Sequence, residues 1–237
     1  MHLLLGVVVS ALVFPCVSTT RRGRLRQRWS RALLGGLGIE LQVDGAPLLP
    51  CGLLVANHIS WVDIFVVNAI TPVAFVSKAD VRQWPLVGWL AASNETVFLR
   101  RGSRGHARII NEEIAARMRA GRHVAVFPEG TTTDGTQVLH FHAALLQPAI
   151  ATGHPIQPLA LRYLTPAGEH TRAAAYDGDV TLADCLASII ATPRITAQVR
   201  IAPDIPTTDA HRREIASSAR EAIVAHVAPS PLSAQAA

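Results

Sequence analysis

The sequence predicts an α/β fold, because segments with the pattern of strands alternate with segments of helical periodicity along most of its 237 residues. Apolar residues make up 49% of the chain and charged residues only 16%, a balance that excludes an intrinsically disordered protein. A single stretch approaches the length of a membrane span, which excludes a polytopic membrane protein. A chain of this length can bury a substantial core within one large domain.

The predicted elements follow one another in a regular order. Short apolar or alternating runs predict strands at residues 39–43, 52–56, 73–76, 96–99, 123–127, 156–161 and 195–201. Longer periodic runs predict helices at 107–120, 143–152 and 208–227, a helix that starts near residue 63, and a helix or loop at 85–92. The apolar side of the helix at 107–120 is predicted to consist of Ile109, Ile110, Ile114 and Met118.

The first 45 residues predict a membrane anchor. Residues 3–17 are almost wholly apolar, but the run is short for a full span and Pro15 would distort its end. The segment is therefore expected either to cross the membrane tilted or to dip in and return. Six arginines follow within eleven residues: Arg21, Arg22, Arg24, Arg26, Arg28 and Arg31. The positive-inside rule keeps such a cluster in the cytoplasm.

Apolar residues recur between these arginines at roughly helical spacing, namely Leu25, Trp29, Leu33 and Leu34. This pattern predicts an interfacial helix whose apolar side enters the membrane while its guanidinium groups bind lipid phosphates. The net charge of +5 suits an anionic membrane surface or a nucleic acid, but aromatic residues, at 5%, are too sparse for base-stacking modules. A solvated basic helix face is the alternative.

Metal and cofactor sites are not expected. The chain has three widely spaced cysteines, Cys16, Cys51 and Cys185, and this odd number predicts neither a disulfide framework nor a zinc site. Such cysteines are typical of a protein in a reducing compartment. His140 and His142 lie on one side of a strand, but no third ligand is evident nearby. The sequence also contains no glycine-rich nucleotide-binding motif.

A first group of chemically active residues follows the strand at 52–56 and consists of Asn57, His58 and Asp63. Five steps along a regular helix would put His58 and Asp63 on different faces. The two side chains can converge if His58 precedes the helix and Asp63 lies in its first turn. The carboxylate would then hold one ring nitrogen and leave the other free as a general base. A histidine satisfied by local backbone is the alternative.

Two further groups also follow predicted strands. After the strand at 123–127, Pro128 and Gly130 force a tight turn with Glu129 at its apex, and the amides near Gly130 with the hydroxyls of Thr131, Thr132 and Thr133 predict an anion-binding nest. An ordinary hydroxyl-rich turn is the alternative.

After the strand at 96–99, Arg100 and Arg101 are placed to bind a phosphate bidentately. A basic pair on the protein surface, without a ligand, is the alternative.

The order and spacing of these motifs resemble the PlsC-like glycerolipid acyltransferases, the lysophosphatidic acid acyltransferase family. The resemblance spans roughly residues 34–201, and the matching positions are Asn57, His58 and Asp63, residues 98–101, residues 127–131 and, loosely, residues 155–158. It implies a single mixed β-sheet flanked by helices. A membrane-associating segment at 1–45 would precede an acyltransferase domain at 46–228, and a flexible tail would follow at 229–237.

The resemblance also implies an activity. A fatty acyl group would pass from an acyl thioester, acyl-CoA or acyl carrier protein, to the sn-2 hydroxyl of 1-acylglycerol-3-phosphate, giving phosphatidic acid at the cytoplasmic face of a bacterial inner membrane. Neither nucleic acid nor a bound cofactor would take part. His58 and Asp63 would be catalytic, and the substrate would be bound by Arg100, Arg101, Glu129, Gly130, Thr131 and Thr132.

One departure from the family pattern concerns the acceptor. Many members carry Arg or Lys where this chain has Thr132, and the Thr-Thr-Thr-Asp-Gly variant is similar to bacterial members that include lyso-ornithine-lipid acyltransferases. Lyso-ornithine lipid or another lysolipid is therefore the alternative acceptor. A non-catalytic lipid-binding membrane protein is the alternative of another class, whereas a lipase or thioesterase is disfavoured because the Gly-x-Ser-x-Gly motif is absent.

Overall fold

The computed structural model describes residues 6, 9–83, 87–99 and 104–227. A seven-stranded sheet in the order β1-β7-β6-β2-β5-β3-β4 forms its centre. The strands are β1 (Ile39–Gly45), β2 (Gly52–Ala56), β3 (Val73–Lys78), β4 (Val97–Leu99), β5 (His123–Val126), β6 (Ile156–Leu164) and β7 (Ile195–Ile201). Neighbouring strands are parallel except for β6 and β7, so β1 and β7 run opposite to the other five.

Helices cover both faces of the sheet. They are α1 (Thr19–Gly36), α2 (Asp63–Ile70), α3 (Val87–Ser93), α4 (Arg104–Arg119), α5 (Gln147–Thr152), α6 (Leu182–Ala191) and α7 (Arg212–Val227). Short π or 3₁₀ turns occupy Val9–Val13, Phe14–Cys16, Ala79–Gln83 and Ala143–Leu146.

The core consists of two layers, one on each face of the sheet. Successive residues of β2 point to opposite faces, so Leu54 joins one buried cluster while Leu53 and Val55 join the other. The first cluster packs under α1, α2 and α6, and the second packs under α4, α5 and α7. Helices on both faces require strands that are apolar on both sides, as the fully buried β2 and β5 are.

The predicted single mixed sheet flanked by helices is confirmed, and each predicted strand corresponds to an observed one. The helices differ from the sequence predictions in four respects, of which the first is that the helix predicted at 208–227 begins at Arg212. Ile109 is 63% exposed and does not belong to the apolar side of α4. The segment 143–152 is a 3₁₀ turn followed by α5, because Pro148 stands at the start of the α-helix. Helix α6 was not predicted, although Thr181 and Asp184 form a capping box at its start.

The N-terminal helix α1 packs against α2. Gln27 donates hydrogen bonds to the carbonyl oxygens of Ala69 and Ile70, which satisfies the last turn of α2. Trp29 packs edge-on against Phe65, with the ring centroids 5.4 Å apart. Arg26 points inward and is only 7% exposed, so it is not part of the predicted basic face.

The predicted anchor segment at 1–45 ends with β1, which pairs with β7 and so belongs to the central sheet. In the part of the chain that the structure describes, no helix is both long enough and apolar enough to cross a membrane. Residues 1–5 and 7–8 of the anchor segment, Arg100, Arg101 and the predicted tail at 229–237 lie outside the described residues.

Candidate active site

The candidate site lies where two neighbouring parallel strands end. β2 and β5 are paired, so the segments that follow them, residues 57–62 and 127–142, meet at one edge of the sheet. Ligands of open α/β sheets bind at this carboxyl edge. β4, which precedes Arg100 and Arg101, ends at the same edge three strands from β2, a separation of about 14 Å.

His58 and Asp63 are in direct contact at this edge. His58 precedes α2 and Asp63 is its first residue, and His58 Nδ1 lies 2.8 Å from Asp63 Oδ2. The same carboxylate oxygen accepts the N–H groups of Ile59 at 2.7 Å and Ser60 at 2.9 Å. The loop therefore curls around the carboxylate, which brings together two side chains that a continuous helix would separate.

Tyr163 of β6 completes the environment of this carboxylate. Asp63 is fully buried, and its second oxygen, Oδ1, accepts the Tyr163 hydroxyl at 2.7 Å. Burial and the neighbouring Asp63 raise the pKa of Tyr163 well above its ordinary value, so the phenol stays protonated and acts as the donor. Tyr163 was not among the predicted site residues, and its one signal in the sequence was a single hydroxyl-bearing side chain in the strand, directly after Arg162.

The imidazole plane of His58 is fixed by stacking. The ring lies 4.1 Å from the ring of Phe127, with an interplanar angle of 10°, and Phe127 stacks in turn on Phe75 at 5.8 Å. The side chain of His58 is 20% exposed. Because Nδ1 is held by Asp63, Nε2 is the nitrogen that a substrate can reach, and it has no hydrogen-bond partner among the described residues.

Glu129 joins the two segments of the site. Its Oε1 accepts the backbone N–H of His58 and its Oε2 accepts that of Leu139, both at 2.7 Å. Burial raises the pKa of Glu129, although both hydrogen bonds oppose the shift. With both oxygens bound to backbone amides and only 5% of the residue exposed, Glu129 holds the loops of the site together.

In the turn at residues 130–133, some hydrogen-bonding groups are bound to backbone atoms and others are open to a ligand. Gly130 adopts a φ of 70°, which favours glycine, and its N–H donates to the carbonyl oxygen of Phe127 at 3.1 Å. The Thr132 hydroxyl donates to the carbonyl oxygen of Tyr176. Thr131, by contrast, is exposed, and its N–H has no partner among the described residues. The N–H of Thr131 is therefore open to a developing anion.

The third threonine of the turn, which was not among the predicted substrate-binding residues, also fixes His58. The Thr133 N–H donates to the carbonyl oxygen of His58 at 2.9 Å, so both backbone groups of His58 are bound to the segment that follows β5.

Metal ligation has no support in the described part of the chain, where no group of three or more His, Cys, Asp or Glu side chains converges. The predicted pair His140 and His142 has ring centroids 6.4 Å apart.

The chain is similar to known acyltransferases. A family model described as Acyltransferase matches residues 42–162, just over half of the chain. A lyso-ornithine lipid O-acyltransferase of Pseudomonas aeruginosa is 39% identical over 206 residues, covering 86% of this chain and 79% of the relative. A 1-acyl-sn-glycerol-3-phosphate acyltransferase of Neisseria meningitidis is 38% identical over 180 residues, covering 75% and 70% of the two chains.

A similar fold occurs in a solved structure. The crystal structure of the 1-acyl-sn-glycerophosphate acyltransferase PlsC from Thermotoga maritima superposes with a TM-score of 0.71 at 20% identity, over 100% of this chain and 94% of that chain. At this level of identity the likeness shows the fold alone.

Proposed function

Because this chain belongs to the acyltransferase family, we propose that it moves a fatty acyl group from an acyl thioester to the sn-2 hydroxyl of 1-acylglycerol-3-phosphate. The contact between His58 and Asp63 at the carboxyl edge of the sheet carries the proposal. Acyl-CoA or acylated acyl carrier protein is the cosubstrate. The product is phosphatidic acid, an intermediate of phospholipid biosynthesis.

In the proposed reaction, His58 Nε2 removes the proton of the acceptor hydroxyl while its oxygen attacks the thioester carbonyl carbon. The resulting imidazolium donates through Nδ1 to Asp63, whose negative charge stabilises it. When the tetrahedral intermediate collapses, the carbon–sulfur bond breaks and the proton on Nε2 passes to the leaving thiolate. A general base placed in this way contributes about 10²–10⁴ in rate.

The tetrahedral intermediate needs hydrogen-bond donors for its oxyanion. The sequence pointed to the amides near Gly130, but the N–H of Gly130 itself is bound to the carbonyl oxygen of Phe127. We assign this role to the N–H of Thr131, which lies on the turn that adjoins His58.

The acceptor phosphate is assigned to Arg100 and Arg101, because they follow β4 in the sequence and β4 ends at the edge of the sheet where His58 lies. Planar guanidinium groups bind phosphate oxygens bidentately. The reaction is proposed to occur at the cytoplasmic face of a bacterial inner membrane, to which α1 presents the exposed residues Arg21, Arg24 and Arg28.

Lyso-ornithine lipid is a second candidate acceptor, and one observation favours it. Where many family members have a cationic side chain, this chain has Thr132, whose hydroxyl is bound to a backbone carbonyl. The site thus has one cation fewer for a phosphate, which suits a zwitterionic head group. The relative from Pseudomonas aeruginosa supports the same acceptor.

The test of catalysis uses a radiolabelled acyl thioester with and without lysolipid. Wild-type protein is expected to transfer the label only when a lysolipid is present, while His58→Ala and Asp63→Ala lose at least about 100-fold in kcat. His226→Ala, which removes a partly exposed histidine of α7, is the control. Activity within a few-fold of wild type in either site variant would overturn the mechanism. Lipid binding without any transfer would favour a non-catalytic lipid-binding protein.

The test of the acceptor compares kcat/KM for 1-acylglycerol-3-phosphate and lyso-ornithine lipid, each with acyl-CoA and with acyl carrier protein. Arg101→Ala is expected to raise KM for the phosphate acceptor more than that for the acyl donor. An effect confined to the donor would contradict the assignment of these arginines.

A further inference from the structure

Helix α6 presents an unusual apolar surface to solvent. Its inner side buries Cys185 and Ile189, whereas its outer side carries Leu182, Leu186 and Ile190, which are 49%, 36% and 68% exposed. These three residues are spaced four apart and therefore form one line along the helix. Val180, immediately before the helix, is 36% exposed as well.

The exposed apolar line lies on the same face of the sheet as the basic helix α1. Leu34 of α1 and Cys185 of α6 belong to one buried cluster, and the two helices end close together, because the Ile195 N–H donates to the carbonyl oxygen of Gly38 at 3.1 Å. The outer side of this layer thus combines exposed leucine and isoleucine with exposed arginine. An anionic bilayer has negatively charged head groups at its surface and apolar acyl chains beneath them, and this combination of side chains fits both layers.

We propose that the outer sides of α1 and α6 together bind an anionic bilayer, with Leu182, Leu186 and Ile190 entering the acyl boundary. The proposal rests on the proposed function, because lysolipid substrates are taken from a membrane. It also places the catalytic loop close to the lipid, since Ile59 and Val62 pack in the same cluster as Cys185.

The test is flotation of the full-length protein with vesicles of phosphatidylcholine and phosphatidylglycerol. Ile190→Ser is expected to lower the partition coefficient about five- to tenfold, because a largely exposed isoleucine no longer enters the lipid. Ile109→Ser is the matched control, because Ile109 is similarly exposed but lies on α4, in the opposite layer. Equal binding by the two variants would overturn the proposal, and so would a dimer that Ile190→Ser dissociates.

Activity measured in detergent micelles separates this proposal from the proposed function. Ile190→Ser is expected to transfer acyl groups to micellar lysolipid as wild type does, since α6 contributes no residue to the reaction. Absence of transfer in the wild type would reject the proposed function and leave the vesicle result as it stands.

A second inference concerns the hydroxyl of Tyr163, which donates to the catalytic carboxylate from a rigid part of the sheet. Tyr163 is 1% exposed, pairs with Ala197 across β6 and β7, and accepts the Thr171 N–H on its carbonyl oxygen at 3.0 Å. Its hydroxyl is the one described donor to Asp63 Oδ1, while Oδ2 is shared by three others. Loss of the hydroxyl would leave one buried oxygen of Asp63 without a donor.

We infer that Tyr163 is a positioning residue that acts through Asp63 on His58. Its hydrogen bond fixes the rotation of the carboxylate and so directs Oδ2 at His58 Nδ1. The inference rests on the proposed function for its kinetic test, and Tyr163 itself touches no reacting atom.

Tyr163→Phe is expected to lower kcat about tenfold and leave KM for both substrates unchanged. In the Asp63→Ala background the same substitution is expected to have no further effect on kcat. Thr207→Val is the control, because it removes another buried hydroxyl, which donates to the His154 carbonyl oxygen at 3.0 Å far from the site. A change in KM alone, an unchanged kcat, or an undiminished effect in the Asp63→Ala background would each overturn the inference.

A readout independent of activity is the NMR signal of the His58 Nδ1 proton, which is expected to move upfield in Tyr163→Phe and stay in place in Thr207→Val. If the wild type showed no transfer, the proposed function would fail, and the NMR result would still decide the role of Tyr163.

Discussion

Asp63 and Glu129 at the candidate site are held by dipolar groups, whereas Glu95 beside the N-terminal helix is held by guanidinium groups. Asp63 and Glu129 accept hydrogen bonds from backbone amides, an imidazole and a phenol, and within the described residues no arginine or lysine binds either of them. Glu95 lies between Arg26 and Arg122, and Arg122 binds both of its oxygens.

The difference separates a carboxylate of the candidate site from a carboxylate of a structural contact. A guanidinium beside Asp63 would repel the imidazolium proposed to form on His58, whereas backbone amides orient the carboxylate without a competing cation. No imidazolium is proposed to form beside Glu95, so the guanidinium groups of Arg26 and Arg122 repel no such cation there. They tie α1, through Arg26, to the residues that precede β4 and β5, and Arg26 also donates to the Asn94 carbonyl oxygen at 2.8 Å.

The largest expected effect tests the functional side of this comparison. Asp63→Asn keeps the shape of the side chain but removes the charge that favours the productive tautomer of His58, so kcat should fall by about 10²–10⁴. Glu95→Gln, assayed beside it under conditions where both are folded, should stay within a few-fold of wild type. Similar losses of kcat in both variants would abolish the distinction.

The next effect concerns Glu129. Each carboxylate oxygen of Glu129 accepts a backbone N–H, and Glu129→Gln replaces one of these oxygens by an NH₂ group that faces an N–H. We expect the free energy of unfolding to fall by about 1–3 kcal/mol. Because one of these N–H groups belongs to His58, kcat should fall as well. Urea unfolding and steady-state kinetics measure the two effects, and a variant as stable and active as wild type would show that these hydrogen bonds are dispensable.

The pH dependence of stability sharpens the contrast. Burial raises the pKa of Glu95, but the hydrogen bond from Arg122 and the charges of Arg122 and Arg26 outweigh it, so the pKa lies below its ordinary value of 4.5. The stabilisation by Glu95 is therefore present above pH 4.5 and is lost as the pH falls through the folded pKa. The stability deficit of Glu95→Gln should shrink in acid.

Glu129 should show the opposite trend, because burial raises its pKa above the ordinary value of 4.5. Its contribution is fully present below pH 4.5 and is lost as the pH rises through the folded pKa. The deficit of Glu129→Gln relative to wild type should therefore be larger in acid than near neutrality. Denaturant titrations of both variants across this range measure the two slopes, and slopes of the same sign would contradict the comparison.

The smallest effect is expected for a carboxylate of the surface. Glu112 pairs with Arg119 at 2.9 Å, but the two side chains are 68% and 54% exposed. Glu112→Gln should change the free energy of unfolding by less than about 1 kcal/mol and leave kcat unaltered. A larger change would mean that the arginine pairing itself, rather than burial, sets the importance of a carboxylate in this protein.

Local patterns were enough to predict the strands and to show that His58 and Asp63 can meet, whereas the single mixed sheet was implied by the family resemblance. The strands are short apolar runs, and the two site residues are five positions apart, so the geometry of one loop decides whether they meet. The Asp63 partner Tyr163 could not be found in this way, because it lies 100 residues further along the chain and its position depends on the pairing of β6.

Other features depended on tertiary contacts that no local pattern contains. Arg26 reads as one member of a basic cluster, and only the packing of α1 shows that it faces Glu95. Gly130 reads as an open amide, and only the turn shows that its N–H is bound to Phe127. Glu95 has a φ of 65°, which is uncommon for a residue other than glycine, and its two arginine partners come from distant segments.

Both backbone polar groups of His58 form hydrogen bonds with the segment that follows β5. The N–H of His58 donates to Glu129, and its C=O accepts the N–H of Thr133. Neither segment can swing outward without breaking the bonds of the other, so the two must open as one cooperative unit. Hydrogen exchange at these amides should accordingly proceed at matched rates. Any gate that admits a long acyl chain has to be formed by a different part of the molecule.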